Sequence, residues 1–459
     1  MVRLSSLVAV GAVAGGLVLT QWPAPAGLDA RVLGGAGIAI AAIGLWATGA
    51  IAEWIAALAL FTGAMLLKIA PASVVFSGFQ AAALWLVVGG LVVGAAVGKT
   101  GLGARIARTL LPLFGRSYLG IVAGSAAIGL ALAFLLPSSL GRIVILMPIL
   151  IALADGFGFG PGSNGRAGMV LACGLGTFLV PFTILPAAVP PMVMAGLAEK
   201  LYGYVPLYAE YLLLHFPILG FLKIVALIAI VVWLLPDTPR ADPAEAEQPK
   251  PMSGEERRLA GIVAISLALW VTDFLHHISP AWISLAAAIA VVAPGIGVMS
   301  AQEAQSRVNW ASAIYIAGVL SLGTIIADTG VGDLLGRAFL GIVALEPGED
   351  ARTFGAVAGA TALLSMATTQ PGIPTVMVPL AGDIARAAGL SVPAILMMQV
   401  IGYSTLILPY QGPPIVVALQ LGGVSVAVAT RITLALTAAT VLVLAPLDYL
   451  WWLALGTFR

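Results

Sequence analysis

Apolar residues in this sequence gather into long runs separated by short polar punctuation. That is the pattern of helices that cross a bilayer, each of which needs about 20 mostly apolar residues. On that ruler spans are expected near 5–21, 32–52, 54–70, 81–98, 166–198, 206–235, 258–276, 280–297, 311–328, 391–418 and 429–453, eleven in all. Two further apolar stretches, 118–155 and 353–388, are too long for one span and are interrupted midway, by Pro137-Ser138-Ser139 and by Thr368-Thr369-Gln370-Pro371-Gly372. Proline, glycine and hydroxyl groups at that depth free backbone polar atoms that lipid cannot satisfy, so each stretch is expected to be a re-entrant helical hairpin lining a polar cavity. The predicted fold class is an all-α polytopic membrane protein of about 11 transmembrane helices with two re-entrant hairpins.

The sizeable hydrophilic segment, 236–258, carries Pro236, Pro239, Pro243, Pro249 and Pro251 among acids and bases and reads as a cytoplasmic linker. It separates a first repeat, 32–235, from a second, 259–459, with residues 1–31 forming an amino-terminal helix and loop. The halves echo one another: Gly98-Lys99-Thr100-Gly101-Leu102-Gly103 corresponds to Ala327-Asp328-Thr329-Gly330-Val331-Gly332. By subtraction Thr100 and Thr329 are 229 apart, Ser138 and Thr369 231, Pro148 and Pro379 231, and the pairs Pro190-Pro191 and Pro413-Pro414 223.

Charge gives the halves opposite orientations, because cytoplasmic loops collect Lys and Arg. Between 98 and 118 stand Lys99, Arg105, Arg108 and Arg116 without an acid, whereas 327–352 holds Asp328, Asp333, Glu346, Glu349 and Asp350 against Arg337 and Arg352. With the amino terminus cytoplasmic, four spans bring 98–118 inside and 327–352 outside, so inverted repeats and alternating access are expected. A cleaved signal peptide, with Arg3 and Ala24-Pro25-Ala26, is the alternative to a first membrane helix.

Composition narrows the function. Charged residues are 9% and apolar ones 61% of the chain, and the net charge is +1, which points to lipid and away from nucleic acid. The lone Cys173 and the three histidines, His215, His276 and His277, form no metal or redox pattern. Hydroxyl and thiol groups in the spans have no acid or His at a useful spacing, so an enzyme is not expected. A channel is disfavoured by paired repeats with broken helices.

In folds of this design, hairpin tips and interrupted helices meet near mid-bilayer, where half-helix ends bind ions and substrate. The tips here are Ser138-Ser139-Leu140-Gly141 and Thr369-Gln370-Pro371-Gly372. The interrupted helices are 166–198, with Gly176, Thr177, Pro181, Pro186 and Pro190-Pro191, and 391–418, with Ser404, Thr405, Pro409 and Pro413-Pro414. Helix amino ends favour an anion, and hydroxyl and carbonyl oxygens favour a hard cation such as sodium. Neither tip nor break contains Asp, Glu or His, so sodium is favoured over proton coupling. His215, Asp273 and Cys173 read as structural, and Lys223 as an interfacial residue or one paired with a backbone carbonyl. The glycines of Trp85–Gly98 (Gly89, Gly90, Gly94) read as a close-packing surface.

These residues resemble the divalent anion:sodium symporters, carriers of dicarboxylates, citrate or sulfate. Leu408-Pro409-Tyr410-Gln411-Gly412-Pro413-Pro414-Ile415 is similar to that family's Leu-Pro-x-x-Thr-Pro-Pro-Asn, and Gly176-Thr177 before Pro190-Pro191 to its partner. Ser138-Ser139-Leu140 and Thr369-Gln370-Pro371 stand where the family carries Ser-Asn-Thr, ten residues before Pro148 and Pro379. The resemblance runs from about residue 30 to 450 and implies a sodium-coupled carrier of a small anion in a bacterial-type inner membrane. It also implies a homodimer whose scaffold (1–98, 206–297 and part of 311–328) flanks a moving transport part. It places substrate on Ser138, Ser139, Arg142, Thr369, Gln370, Pro190 and Pro413. Sodium falls on Ser138, Gly176, Thr177, Thr368, Thr369, Ser404 and Thr405, with no other cofactor. The chain departs from the family at Ser139, Leu140, Met192, Gln370, Pro371 and Ile415, which puts both dicarboxylate binding and strict sodium coupling in question. Arg142, one turn beyond Ser138 in an apolar stretch, is open to two readings: its charge neutralises the anion in place of a sodium, or it pairs with bared carbonyls.

Overall fold

A computed structural model describes residues 4–25, 28–110, 115, 117–136, 138–240, 251–366 and 368–458, with the side chains of Leu4, Ser5, Ala107, Arg108 and Leu110 excepted. Pro137, Arg3, Ala26, Arg116 and the linker prolines Pro243 and Pro249, used above, lie outside the described residues. The first half comprises α1 Leu4–Gln21, α2 Ala30–Thr48, α3 Glu53–Leu66, α4 Ala72–Val75, α5 Ala82–Thr100, α6 Leu102–Leu110, α7 Tyr118–Ala133, α8 Ser139–Gly156, α9 Asn164–Leu179, α10 Val189–Tyr202, α11 Tyr208–His215 and α12 Lys223–Leu234. The second comprises α13 Gly254–Val271, α14 Asp273–His276, α15 Pro280–Val292, α16 Ala301–Arg307, α17 Ala311–Asp328, α18 Val331–Ile342, α19 Asp350–Leu364, α20 Gly372–Ala388, α21 Val392–Tyr403, α22 Pro413–Gly422, α23 Val426–Ala439 and α24 Ala445–Leu455. Each expected span has a helix in its place. Among the described residues, seven helices are long and apolar enough to cross a membrane alone.

The halves follow one order because the same local signals recur. Gly101 ends α5 and Gly330 follows α17, both in the left-handed region (φ 77° and 81°) that a side chain would strain. Thr100 and Thr329 each return a hydroxyl bond to the carbonyl four residues earlier, Ala96 and Ile325. Paired helices follow in each half, α7 with α8 and α19 with α20, and the second member carries an internal proline, Pro148 or Pro379. Beside Pro379 the Tyr202 hydroxyl inserts into the helix ladder, lying 2.9 and 3.1 Å from the carbonyls of Val378 and Pro379, to which it donates, and accepting from Gly382 N–H (3.2 Å). Each half ends in a long helix opened by a π-turn, at Phe216–Leu222 and at Thr440–Leu444.

The halves also interlock. The second part of each interrupted helix packs on the hairpin of the other half, α10 on α20 and α22 on α8. On the flank, α5 lies along α15 and α17 along α3. A Cβ at Gly89 would stand 2.4 Å from Ser284 Oγ and 2.5 Å from its carbonyl oxygen, so the glycine there is a close-packing position, as read from the sequence. The segment 208–234, expected in the scaffold, differs: α12 packs on α7, α9 and α23. Its buried face, including Lys223, Ile224, Leu227 and Val231, turns toward the hairpin side.

Candidate functional site

At the first tip Ser138 caps α8, its hydroxyl accepting from Gly141 N–H at 3.1 Å. One turn on, the guanidinium of Arg142 is fully buried. Its Nη1 donates to the carbonyls of Leu136 and Ala187 (the latter 3.2 Å), and its Nη2 to Ser139 Oγ (2.9 Å) and the Thr177 carbonyl (2.8 Å). Leu136 closes the first arm of the hairpin, while Thr177 and Ala187 flank the break between α9 and α10. One side chain therefore laces tip to break, on carbonyls that the irregular backbone has bared. The Arg142 guanidinium thus pairs with bared carbonyls, and its positive charge stays at the tip. Its Nε–H has no protein acceptor, and among the described residues no carboxylate pairs with it.

The second tip joins its own break differently. Gln411, in the 3-10 turn Pro409–Gln411, donates from Nε2 to Ser365 Oγ at the end of α19 (2.7 Å) and accepts from Leu408 N–H (2.6 Å). The start of α20 has no side-chain cap. Beside it Gln370 is buried with both amide atoms unpartnered among the described residues, and the buried Thr369 hydroxyl interacts with that of Tyr315. A buried polar group without a partner costs about 1–3 kcal/mol, so the Gln370 amide is a group awaiting one.

The two breaks meet. The rings of Phe182 and Tyr403 are 5.7 Å apart, and a Cβ on Gly412 would fall 2.7 Å from Phe178. At the carboxyl end of α21, Lys223 is buried and its Nζ donates to the Ser404 carbonyl (2.7 Å) and approaches Ser404 Oγ (3.5 Å). The Ser404 and Thr405 hydroxyls both return to the carbonyl of Ile401 (3.0 and 2.7 Å). Asp448 on α24 is buried with neither oxygen bonded and exerts a Coulombic pull on Lys223.

The other expected residues fall as follows. Gly176 packs on α7, 3.3 Å from its Ala126 carbonyl measured from an added Cβ. Thr177 is buried, its hydroxyl 3.9 Å from the Cys173 sulfur. Thr368 is half-buried at the second tip. Pro190 is buried and Pro413 exposed, each in the first turn of its half-helix, where the missing N–H is an orphan in any case. With Pro413 and Pro414 lacking N–H groups and Ile415 and Val416 bonding to Gly412, the first turn of α22 has no free amide for an anion. His215 sits buried between Tyr211 and Trp452 with Nε2 3.4 Å from Met397 Sδ, and Asp273 caps α11 through Tyr208 N–H (2.5 Å); both are structural, as expected. Asp448 and Ser365 were not singled out, whereas Lys223 was read as interfacial or paired with a backbone carbonyl, and it pairs with the Ser404 carbonyl. Lys223 carries the same sequence signal as Arg142, an ionisable group within an apolar span.

A narrow apolar cleft opens beside the first tip, lined by Phe134, Leu135, Leu136, Pro186, Leu86 and Trp270. No group of His, Cys, Asp and Glu that could hold a metal ion occurs among the described residues.

Hairpin tips laced to interrupted helices within an all-helical, membrane-type fold define the transporter class of architecture. The sodium:sulfate symporter transmembrane region matches residues 2–458, and the chain belongs to that family. It is similar to a membrane protein of Cupriavidus necator, 31% identical over 269 residues (57% of this chain, 52% of that one). It is also similar to YflS of Bacillus subtilis, whose name puts it forward as a malate transporter, 26% identical over 276 residues (56% of each). The matches thus span about half the length of these relatives. The fold is that of the Alcanivorax borkumensis YdaH transporter, described as having an unusual topology, with a TM-score of 0.57 and 15% identity over 86% of this chain and 90% of that one.

Proposed function

We propose that this chain is a secondary active transporter that carries a small anion, a dicarboxylate first and a sulfate-like ion second, by alternating access between two inverted repeats. The observation that carries this reading is the second tip, where among the described residues the Gln370 amide is buried without a partner. A carboxylate or sulfate oxygen accepts from such a group, and the unpaired Nε–H of Arg142 supplies positive charge on the first tip. The malate transport named for YflS fits the dicarboxylate choice. The same reading has the chain in a cytoplasmic membrane with its amino terminus inside, as a homodimer with α1–α3, α5, α13, α15 and α17 as scaffold.

Coupling to sodium, which the family's name carries, needs free oxygens at Thr177, Ser404 and Thr405. The Thr177 and Ser404 carbonyls are each taken by a side-chain cation, and proton-coupled or uncoupled movement of the anion is the second reading that this favours. The test is uptake into proteoliposomes of labelled malate, succinate, citrate and sulfate. Saturable uptake of one of them, with counterflow, is the expected result. Failure of every anion under all imposed gradients, or conduction without counterflow, removes the carrier.

A further inference from the structure

We infer that Arg142 and Lys223 are tethered cations standing in the two positions a coupling sodium would need, so that this chain moves its anion without sodium. The inference rests on the carrier reading above and specifies its energetics. In broken-helix carriers the bared carbonyls and carboxyl ends of half-helices are what hold a coupling ion. This chain has two such ends, α9 at Thr177 and α21 at Ser404. They are 227 residues apart by subtraction, within the 223 to 231 that separates the other repeated landmarks.

Each end carries a buried side-chain cation on its carbonyl, the guanidinium of Arg142 at 2.8 Å from Thr177 O and the ammonium of Lys223 at 2.7 Å from Ser404 O. The two cations come from unrelated elements, α8 and α12, yet each finishes on a carbonyl at the carboxyl end of a half-helix, Thr177 in the last turn of α9 and Ser404 directly after α21. Sodium is a hard cation that needs several oxygens at once. At the first end the Leu136 and Ala187 carbonyls and the Ser139 hydroxyl are also taken by the guanidinium. At the second the Ser404 carbonyl is taken by the ammonium, which also approaches Ser404 Oγ at 3.5 Å. A sodium ion arriving at either end would meet a cationic side chain already seated on the carbonyl. The surroundings differ: the buried Asp448 carboxyl lies near enough to act on Lys223 through space, whereas no carboxylate among the described residues pairs with Arg142. The transported anion is therefore the counter-ion of Arg142.

The test uses the purified full chain. Its melting temperature is measured in sodium chloride and in choline chloride at equal ionic strength, and initial uptake of labelled malate and sulfate is measured in the same two media. The wild type is expected to melt and transport alike in both. Arg142→Ser, which vacates the carbonyls of Leu136, Thr177 and Ala187, is expected to gain a saturable, sodium-specific rise in melting temperature, and Lys223→Arg to stay indifferent. A sodium-specific rise in the wild type, or uptake lost in choline, overturns the inference. If no anion is taken up in either medium the carrier reading fails, while the melting comparison still decides whether sodium binds. Should Arg142→Ser not fold, Lys223→Ser provides the same gain-of-sodium test at the other end.

Discussion

At the scale of single residues, two buried polar groups behave oppositely, and the difference is one of satisfaction. Inserting an arginine at membrane depth costs about 2.5–3.5 kcal/mol. Arg142 makes four hydrogen bonds, and bonds to a charged group contribute about 1.5–3 kcal/mol each, so its burial is offset. Arg142→Gln is therefore expected to lose stability as well as uptake, measured as a lower melting temperature. Gln370 is the converse case: Gln370→Leu, which removes an unsatisfied amide, is expected to abolish uptake while raising the stability of the empty protein by about 1–3 kcal/mol. A loss of stability would mean that the amide has a structural partner. In the loop helix α16, Glu303 is drawn down from its usual value of 4.5 to about 2 by the Ser300 backbone N–H and then by Lys99. Because its folded value lies below the ordinary one, the stability it confers is whole above about 4.5 and is lost as pH falls toward 2. The melting temperatures of wild type and Glu303→Gln should thus differ at neutral pH and converge on acidification.

At the scale of elements, what repeated in the sequence also repeated in the fold. Thr-Gly after α5 and α17, the mid-helix prolines 148 and 379, and the double prolines opening α10 and α22 were legible because each encodes a local backbone constraint that needs no knowledge of neighbours. Lys223 and Asp448 were not legible as a pair, since the pairing depends on how α12, α21 and α24 pack, and nothing local to either residue records that. Nor was Gln411 bonding to Ser365, which joins residues 46 apart. The two π-turns also escaped, because a π-turn is a registry adjustment without a residue signature of its own. Helix packing makes one firm prediction here. Gly89→Val, by driving a side chain into Ser284, should cost about 1–3 kcal/mol as overpacking, visible in thermal unfolding.

At the scale of the whole molecule, the all-helical, membrane-type architecture and the order of its parts could be read from hydropathy and punctuation, whereas the grouping of helices could not. The resemblance implied that 208–234 belongs to the scaffold, yet an apolar helix packs equally well on either side, and only tertiary contacts put α12 on α7 and α9. Opposed orientation of the two halves has its own test. With Cys173→Ala as background, single cysteines at Ser139 and Thr369 should react with impermeant reagents from opposite sides of the membrane. Labelling of both from one side would contradict the inverted arrangement.

The lacing of the first tip by Arg142 dictates where this protein can bend. With Leu136, Ser139, Thr177 and Ala187 all held by one guanidinium, tip and break are tied into one block, and in the proposed alternating-access cycle that block would slide along the greasy seam lined by Leu86, Trp270 and Pro186. A covalent staple across that seam, from Leu86→Cys to Pro186→Cys, should freeze turnover reversibly, with reductant restoring it.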